Sequence, residues 1–298
     1  MAYFLQQLAN AVPVAALYAV LAFGYAVAFT VTRRADLTHG ALFAFAGQVF
    51  VLFADVGWNR LWLVLPATLA FAAAMAFTYT VGAGVLVAQR VMRPLAFSSA
   101  NSVIVASLGV LLVLMETARL ATETRSLWLP LFLNAPVVLV DDPAFPVTLT
   151  VIQMLNAALM LALVAAGQAV LARTRAGRIW RAVADDRGAA ALCGIDPGRV
   201  FVLSYAAAAG IAAISGILAA SYYGTMDFGA GLVFGVKVLF IAAIGGQGAP
   251  LRAAGGAAAV GLAETLWSAY GPILWRDFAV FGGLVIVLVL VRREKVVP

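Results

Sequence analysis

AVPVAALYAVLAFGYAVAFTVT, residues 11–32, runs for 22 residues without a charge. RRAD at 33–36 interrupts it, and THGALFAFAGQVFVLFA at 38–54 is uncharged again. A helix crosses the hydrocarbon core of a bilayer with about 20 mostly apolar residues. The first run is long enough to span, and the second reads as a shorter partner across a basic turn. The same alternation continues outward through 61–88, 97–115, 147–172, 200–222, 253–271 and 278–291. These make eight spans, and 228–244, apolar but for Lys237, would make a ninth. The reading is an all-α polytopic membrane protein of eight or nine transmembrane helices. The glycine-rich stretch 222–252 is left open as a full span or a broken, re-entrant segment. A proline-containing stretch, 119–146, separates two of the runs.

Composition agrees. The 298 residues are 64% hydrophobic and 11% charged, with a mean hydropathy of +1.03. A soluble domain is about a quarter charged, and this chain has too little polar material to cover a water-facing surface. One bundle, residues 1–298, is expected rather than several soluble domains. The net charge of +6 does not point to nucleic acid, because basic residues flank spans on the cytoplasmic side. With nine crossings, an outer N-terminus and an inner C-terminus, fourteen basic residues fall inside, four outside (Arg60, Arg119, Arg125 and Arg276), and Lys237 within the membrane. The opening residues MAYFLQQLAN lack a basic region and do not read as a cleaved signal peptide.

Charges inside a bilayer are expensive and so mark function by default. Lys237 and Glu264 are the clearest. The competing reading is a buried structural pair, Lys237 with Asp227 or Glu264, or a snorkelling lysine. Asp227 is expected to cap a helix starting at Phe228. His39, the single histidine, cannot by itself build a metal site or a proton relay and reads as a hydrogen-bonded structural residue. Asp36 can orient it or cap the next helix. The single cysteine, Cys193, lies in a charged loop without ligand companions and reads as an ordinary small residue. Gly245-Gly246-Gln247-Gly248-Ala249-Pro250 lacks phosphate-loop spacing and reads as a turn between spans, so no nucleotide site is expected in this chain. A short echo lays residues 35–43 over 226–234, with Asp, Gly and Phe coincident, as an inverted repeat or as chance.

The loop RTRAGRIWRAVADDRGAAALCGIDPGR, residues 173–199, is the most charged segment. Within it 178–193 predicts a short helix, Gly194 its stop, and Asp196-Pro197 the cap and first position of the next span. A charged helix between two spans suits docking to a soluble partner, with an ordinary interfacial loop as the alternative.

That loop resembles the cytoplasmic coupling segment of the LivH/LivM permeases, the membrane subunits of branched-chain amino acid ABC importers. The similarity lies in Arg181-Ala182-Val183-Ala184-Asp185-Asp186-Arg187, then Ala189-Ala190 and Gly194-Ile195. Residues 15–48 resemble the family's first two spans around its Asn-x-x-His-Gly motif. Residues 222–250 resemble its segment before a Gly-Gly-x-Gly-x-x-Pro turn, and 255–264 its glycine-rich helix ending in Glu. The likeness covers nearly the whole chain and is closer to the LivH half. Asp36 and Thr38 stand where the family has Asn and Phe or Met, Pro250 comes one residue early, and Arg33-Arg34 is more basic. The family also serves urea, short amides and aromatic acids, so the solute stays open.

The resemblance implies a LivM-like second permease, two cytoplasmic ATP-binding subunits and a periplasmic substrate-binding protein, in the bacterial inner membrane. ATP would be bound by the partners, with no cofactor in this chain. Coupling would fall to Arg178, Arg181, Asp185, Asp186, Arg187, Gly194 and Ile195. The pathway candidates are Asp36, Thr38, His39, Asp227, Lys237 and Glu264. An ion-coupled secondary transporter using Asp227, Lys237 or Glu264 is the rival reading. A channel is disfavoured because no span repeats its polar residues, and an enzyme because one histidine and one cysteine are poor catalytic material.

Overall fold

The computed structural model describes residues 2–97, 99–141, 145–245 and 249–291. They form helices α1 (Ala2–Thr32), α2 (Thr38–Asn59), α3 (Leu65–Val87), α4 (Ala100–Ala121), α5 (Val151–Arg173), α6 (Arg175–Asp185), α7 (Arg187–Leu192), α8 (Pro197–Tyr223), α9 (Ala230–Gly245), α10 (Pro250–Tyr270) and α11 (Arg276–Val291). A π-helical turn, Ala88–Met92, extends α3. Strands β1 (Pro136–Val140) and β2 (Val147–Thr150) pair antiparallel between α4 and α5.

Seven helical segments among the described residues are long and apolar enough to cross a membrane: α1, α2, α3 with its π-helical turn, α4, α5, α8, and α11 with the 3-10 turn before it, Ile273–Leu290. Each of the nine expected runs holds a helix, but the run expected over 147–172 opens on strand β2 and turns helical only at Val151, and the run expected from 61 turns helical at Leu65. α9 has 16 residues, about 24 Å at 1.5 Å per residue, short of the roughly 30 Å hydrocarbon core. α10 carries Arg252 and Glu264 among its 21 residues. Over 230–245 the chain is one continuous helix rather than a broken one. The expected turn at Gly246–Gly248 and the basic residues Arg292, Arg293 and Lys295 lie outside the described residues. Two further expectations are corrected. The helix expected from Phe228 begins at Ala230, because Asp227 first closes a turn onto the Gly229 N–H at 2.9 Å. The single helix expected over 178–193 starts earlier and divides at Asp186, whose extended backbone ends α6 while its side chain caps α7.

Local chemistry explains the starts and stops. Prolines occupy the first turns of α3, α8 and α10, where a missing N–H costs no bond. Asp196 accepts from the Gly198 and Arg199 N–H groups at 2.8 and 3.2 Å, as its position before Pro197 predicts. α5 opens on a capping box of Thr150 and Gln153.

α1 runs through the centre of the bundle, with nearly every residue from Ala16 to Thr32 buried. α10, α8, α5 and α9 surround it. α3, α4, α5 and α11 leave wide apolar faces, including Val105, Val113, Leu161, Ile286 and Val289, open on the outside. That is the reverse of a soluble protein and suits lipid or a second transmembrane chain.

The echo between 35–43 and 226–234 has a structural counterpart. A Cβ on Gly40 would lie 2.3 Å from the Gly235 Cα and 2.7 Å from the Gly231 carbonyl oxygen. The matched rings of Phe43 and Phe234 pack edge to face at 5.1 Å. The matched glycines and phenylalanines therefore meet each other where α2 crosses α9. Gly40→Val forces these backbones apart, and overpacking of this kind costs about 1–3 kcal/mol or more. We expect it to lose the monodisperse species in size-exclusion after mild heating. Gly82→Ala, where a Cβ meets nothing within 4 Å, is the control and should match or exceed the parent.

Candidate functional site

Two regions gather the sequence-predicted residues. The first is the α6–α7 segment. Gly177, Trp180, Val183 and Ala184 form the buried face of α6, while Arg178, Arg181 and Asp185 lie on its exposed face. The Trp180 indole N–H donates to the Val27 carbonyl at 3.1 Å, fixing α6 to the end of α1. Two arginines then tie these ends reciprocally. Arg33, at a left-handed backbone position (φ 51°), donates to the Ala184 carbonyl at the end of α6. Arg187 donates to the Val31 carbonyl at the end of α1. Each cation thus satisfies one C-terminal carbonyl, Arg33 that of Ala184 in α6 and Arg187 that of Val31 in α1. Burial, then the positive charges of Arg33 and Arg34, pulls the Arg187 guanidinium below its ordinary value.

The predicted coupling residues therefore play different parts. Arg178 and Asp185 are exposed on the outer face. Arg181 donates to the Leu171 carbonyl at 2.9 Å. Asp186 is the α7 cap, accepting from the Gly188 and Ala189 N–H groups at 2.7 and 3.1 Å. Gly194 ends the segment at φ 80°, and Ile195 packs inward on a cluster that includes Trp180, Val183 and Ala190. Trp180 itself was not singled out from the sequence, although the spacing 177, 180, 183 and 184 is that of one helix face.

Beside this segment, Asp36, Thr38 and Tyr205 form a buried knot. The Asp36 carboxylate accepts from the Thr38 backbone N–H at 3.1 Å, the Thr38 hydroxyl at 2.6 Å and the Tyr205 hydroxyl at 2.8 Å. Burial raises the Asp36 carboxyl above the usual carboxylate range, opposed by the hydrogen bonds from Thr38 and Tyr205. Asp36 thus caps α2. His39 is buried against Gly24 and 6.4 Å from the Tyr25 ring, and its Nε2 has no hydrogen-bond partner among the described residues.

The second region surrounds Lys237, which is 3% exposed. Its ammonium donates to Glu264 at 2.8 Å, to the Tyr18 hydroxyl at 3.3 Å and to Asp277 at 3.3 Å. Tyr18 donates to the second Glu264 oxygen at 2.6 Å. Arg276 completes the group, its Nε 3.6 Å from Glu264 and 3.5 Å from Asp277. Of the two partners expected for Lys237, Glu264 is the actual one. Asp227 lies apart, on a second, smaller cavity of about 210 Å³ that Gln48 and Arg125 also line. Tyr18, Arg276 and Asp277 were missed. Arg276 and Asp277 read as loop charges in sequence, and only the fold turns them toward Lys237.

The Lys237 cluster borders a cavity of about 610 Å³ that runs along α1 from Tyr3 to Tyr18, about 22 Å of helix. Polar side chains line its outer part, among them Gln7, Asn10 and Gln153, and Lys237 and Glu264 lie beside Tyr18. The hairpin is bound to the same end of the molecule. Gln6 exchanges two hydrogen bonds of 2.8 Å with the backbone of Thr148, and Gln153 donates to the Tyr222 hydroxyl at 3.1 Å. Among the described residues no three or more His, Cys, Asp or Glu side chains gather as a metal-ligand set.

Residues 7–290 match the family described as "Branched-chain amino acid transport system / permease component". The chain is 28% identical over 292 residues to the high-affinity branched-chain amino acid transport system permease protein LivH of Escherichia coli, covering 97% of this chain and 94% of that one. The Salmonella typhimurium LivH is similar to the same extent, 28% over 292 residues, with 97% and 94% covered. The Pseudomonas aeruginosa permease protein BraD is 26% identical over 291 residues, covering 96% and 93%. No solved structure matches the chain.

Proposed function

The chain belongs to the permease family of branched-chain amino acid transport systems, and on that premise we propose that it carries these solutes inward while separate subunits hydrolyse ATP. It is a multi-pass membrane protein without an ATPase domain of its own. The observation that carries the rest of the reading is the α6–α7 segment. Its apolar face is fixed on α1 and its charged face, with Arg178 and Asp185, is turned outward. A strongly two-faced helix of this kind is half of an interface.

In this reading α6–α7 is the coupling element, and a cytoplasmic ATP-binding subunit covers its polar face. The basic end of the bundle then faces the cytoplasm of a bacterial inner membrane, in line with the positive-inside bias. The N-terminus, the hairpin and the mouth of the large cavity face the periplasm, where a substrate-binding protein delivers solute. A LivM-like second permease covers part of the apolar flank. Lys237 and Glu264 lie on the solute path. Asp227 borders the smaller cavity at its outer side. Asp36, Thr38 and His39 sit where the path meets the coupling element.

Cys193 is exposed and is the single cysteine of the sequence, so it is a ready crosslinking site beside α7. A thiol crosslinker on the purified complex is expected to join Cys193 to an ATP-binding subunit. Ala190→Pro should abolish the product, because it removes the 3.1 Å bond from the Ala190 N–H to Asp186 and breaks α7. A preparation free of any ATPase that still moves leucine down an ion gradient would overturn the reading in favour of an ion-coupled transporter.

A further inference from the structure

Resting on the pathway reading above, we propose that the Lys237–Glu264–Arg276 cluster and its cavity form a solute site for the zwitterionic head of an aliphatic amino acid. The carboxylate would pair with Arg276 and Lys237, the ammonium with Glu264, and the side chain would lie on Leu17, Val233 and Phe234.

Three observations lead there. The cluster is balanced, with Lys237 and Arg276 against Glu264 and Asp277. A zwitterion has no net charge, so it can enter by exchanging partners and leave every charge paired. A lone anion or cation would leave one buried charge unmatched, which is strongly unfavourable. An uncharged amide would have to separate existing pairs and return only neutral hydrogen bonds.

The second observation is incomplete satisfaction. The Arg276 Nε is buried yet has no hydrogen-bond partner among the described residues, and its two ion contacts lie beyond good hydrogen-bond reach. The Arg276 side chain is 40% exposed and lines the cavity. A guanidinium with a free donor is suited to a bidentate carboxylate.

The third is the division of the wall. Leu17, Val233 and Phe234 border the same cavity as the charged groups. A wall that offers charge and apolar surface together fits a ligand with a charged head and a branched aliphatic tail. About 610 Å³ is ample for one such solute with some water.

The test places a reporter thiol at the cavity. Ser268 lines it, so Ser268→Cys is made with Cys193→Ser and assembled with the partner subunits in membrane vesicles. L-Leucine is expected to slow labelling by a small charged methanethiosulfonate at least fivefold. 4-Methylpentanoate, isopentylamine and urea, which each lack one or both head charges, should slow it less than twofold. Arg276→Gln should abolish leucine protection, read as the ratio of labelling rates with and without leucine in the same variant, and Arg276→Lys should restore part of it. Equal protection by 4-methylpentanoate or by urea would overturn the zwitterion assignment, whatever becomes of the variants. No protection by leucine in vesicles that still show ATP-driven leucine uptake would overturn the site and leave the permease reading standing. Vesicles with all subunits present that take up no aliphatic amino acid would overturn both.

Discussion

Lys237→Met is expected to lower ATP-driven leucine uptake by at least about 100-fold. The Lys237 side chain is 3% exposed, and its removal leaves Glu264, whose side chain is 10% exposed, without its closest cation. Breaking a buried pair from one side costs about 3–5 kcal/mol, because the surviving charge stays desolvated. One decade in an equilibrium corresponds to about 1.4 kcal/mol, so the paired, competent arrangement is disfavoured by about two to three and a half decades. Glu264→Gln should act in the same direction. The double variant Lys237→Met, Glu264→Gln removes both charges and is expected to regain assembly, since neither ion is stranded. It should not regain transport. Size-exclusion of the assembled complex and uptake of labelled leucine separate the two effects. A double variant that transports as well as the parent would show that the pair only packs the bundle and has no part in the solute path.

Trp180→Ala should uncouple the machine, with ATP hydrolysis continuing while uptake drops tenfold or more. Trp180 is 9% exposed, and its indole N–H reaches the Val27 carbonyl. Deleting a buried tryptophan costs about 3–5 kcal/mol. That loss falls on the joint between α6 and α1 rather than on the distant cavity. Trp180→Phe keeps most of the packing and loses the hydrogen bond, worth about 0.5–1.5 kcal/mol, so a milder defect is expected. The ratio of leucine moved to ATP consumed, measured in proteoliposomes, reports it. If Trp180→Ala lowers hydrolysis and uptake by the same factor, the segment serves assembly rather than coupling.

The long helices were legible in the sequence because length and hydropathy are local properties. Asp196-Pro197 and Gly194 were legible for the same reason, since caps and stops depend on a few adjacent atoms. The division at Asp186 was missed even though Asp185-Asp186 before Arg187-Gly188-Ala189 carries an N-cap signal. The alanines on either side favour a continuous helix and masked it. The hairpin was missed because β1 lies in a proline-containing stretch and β2 runs straight into α5, so 147–150 read as the start of a span. The cluster around Lys237 lay deeper. Its members come from α1, α9, α10 and α11, and sequence offers no register between helices. It left Lys237 a choice between Asp227 and Glu264, and it assigned Arg276 to the water outside.

α1 is continuous from Tyr3 at the mouth of the cavity, past Tyr18, to Val31 beneath Arg187. Val31 lies 13 residues on from Tyr18, about 20 Å of helix, with no proline between them. Pro13, the one proline in α1, falls on the far side of Tyr18. On the coupling role proposed for α6–α7, the stretch that joins it to the charge cluster acts as a push-rod, and its softest joint lies past the point where the load is delivered. A displacement of α6 by a partner would reach the Tyr18–Glu264 bond nearly undiminished, and bending would be confined to the outer third of the helix.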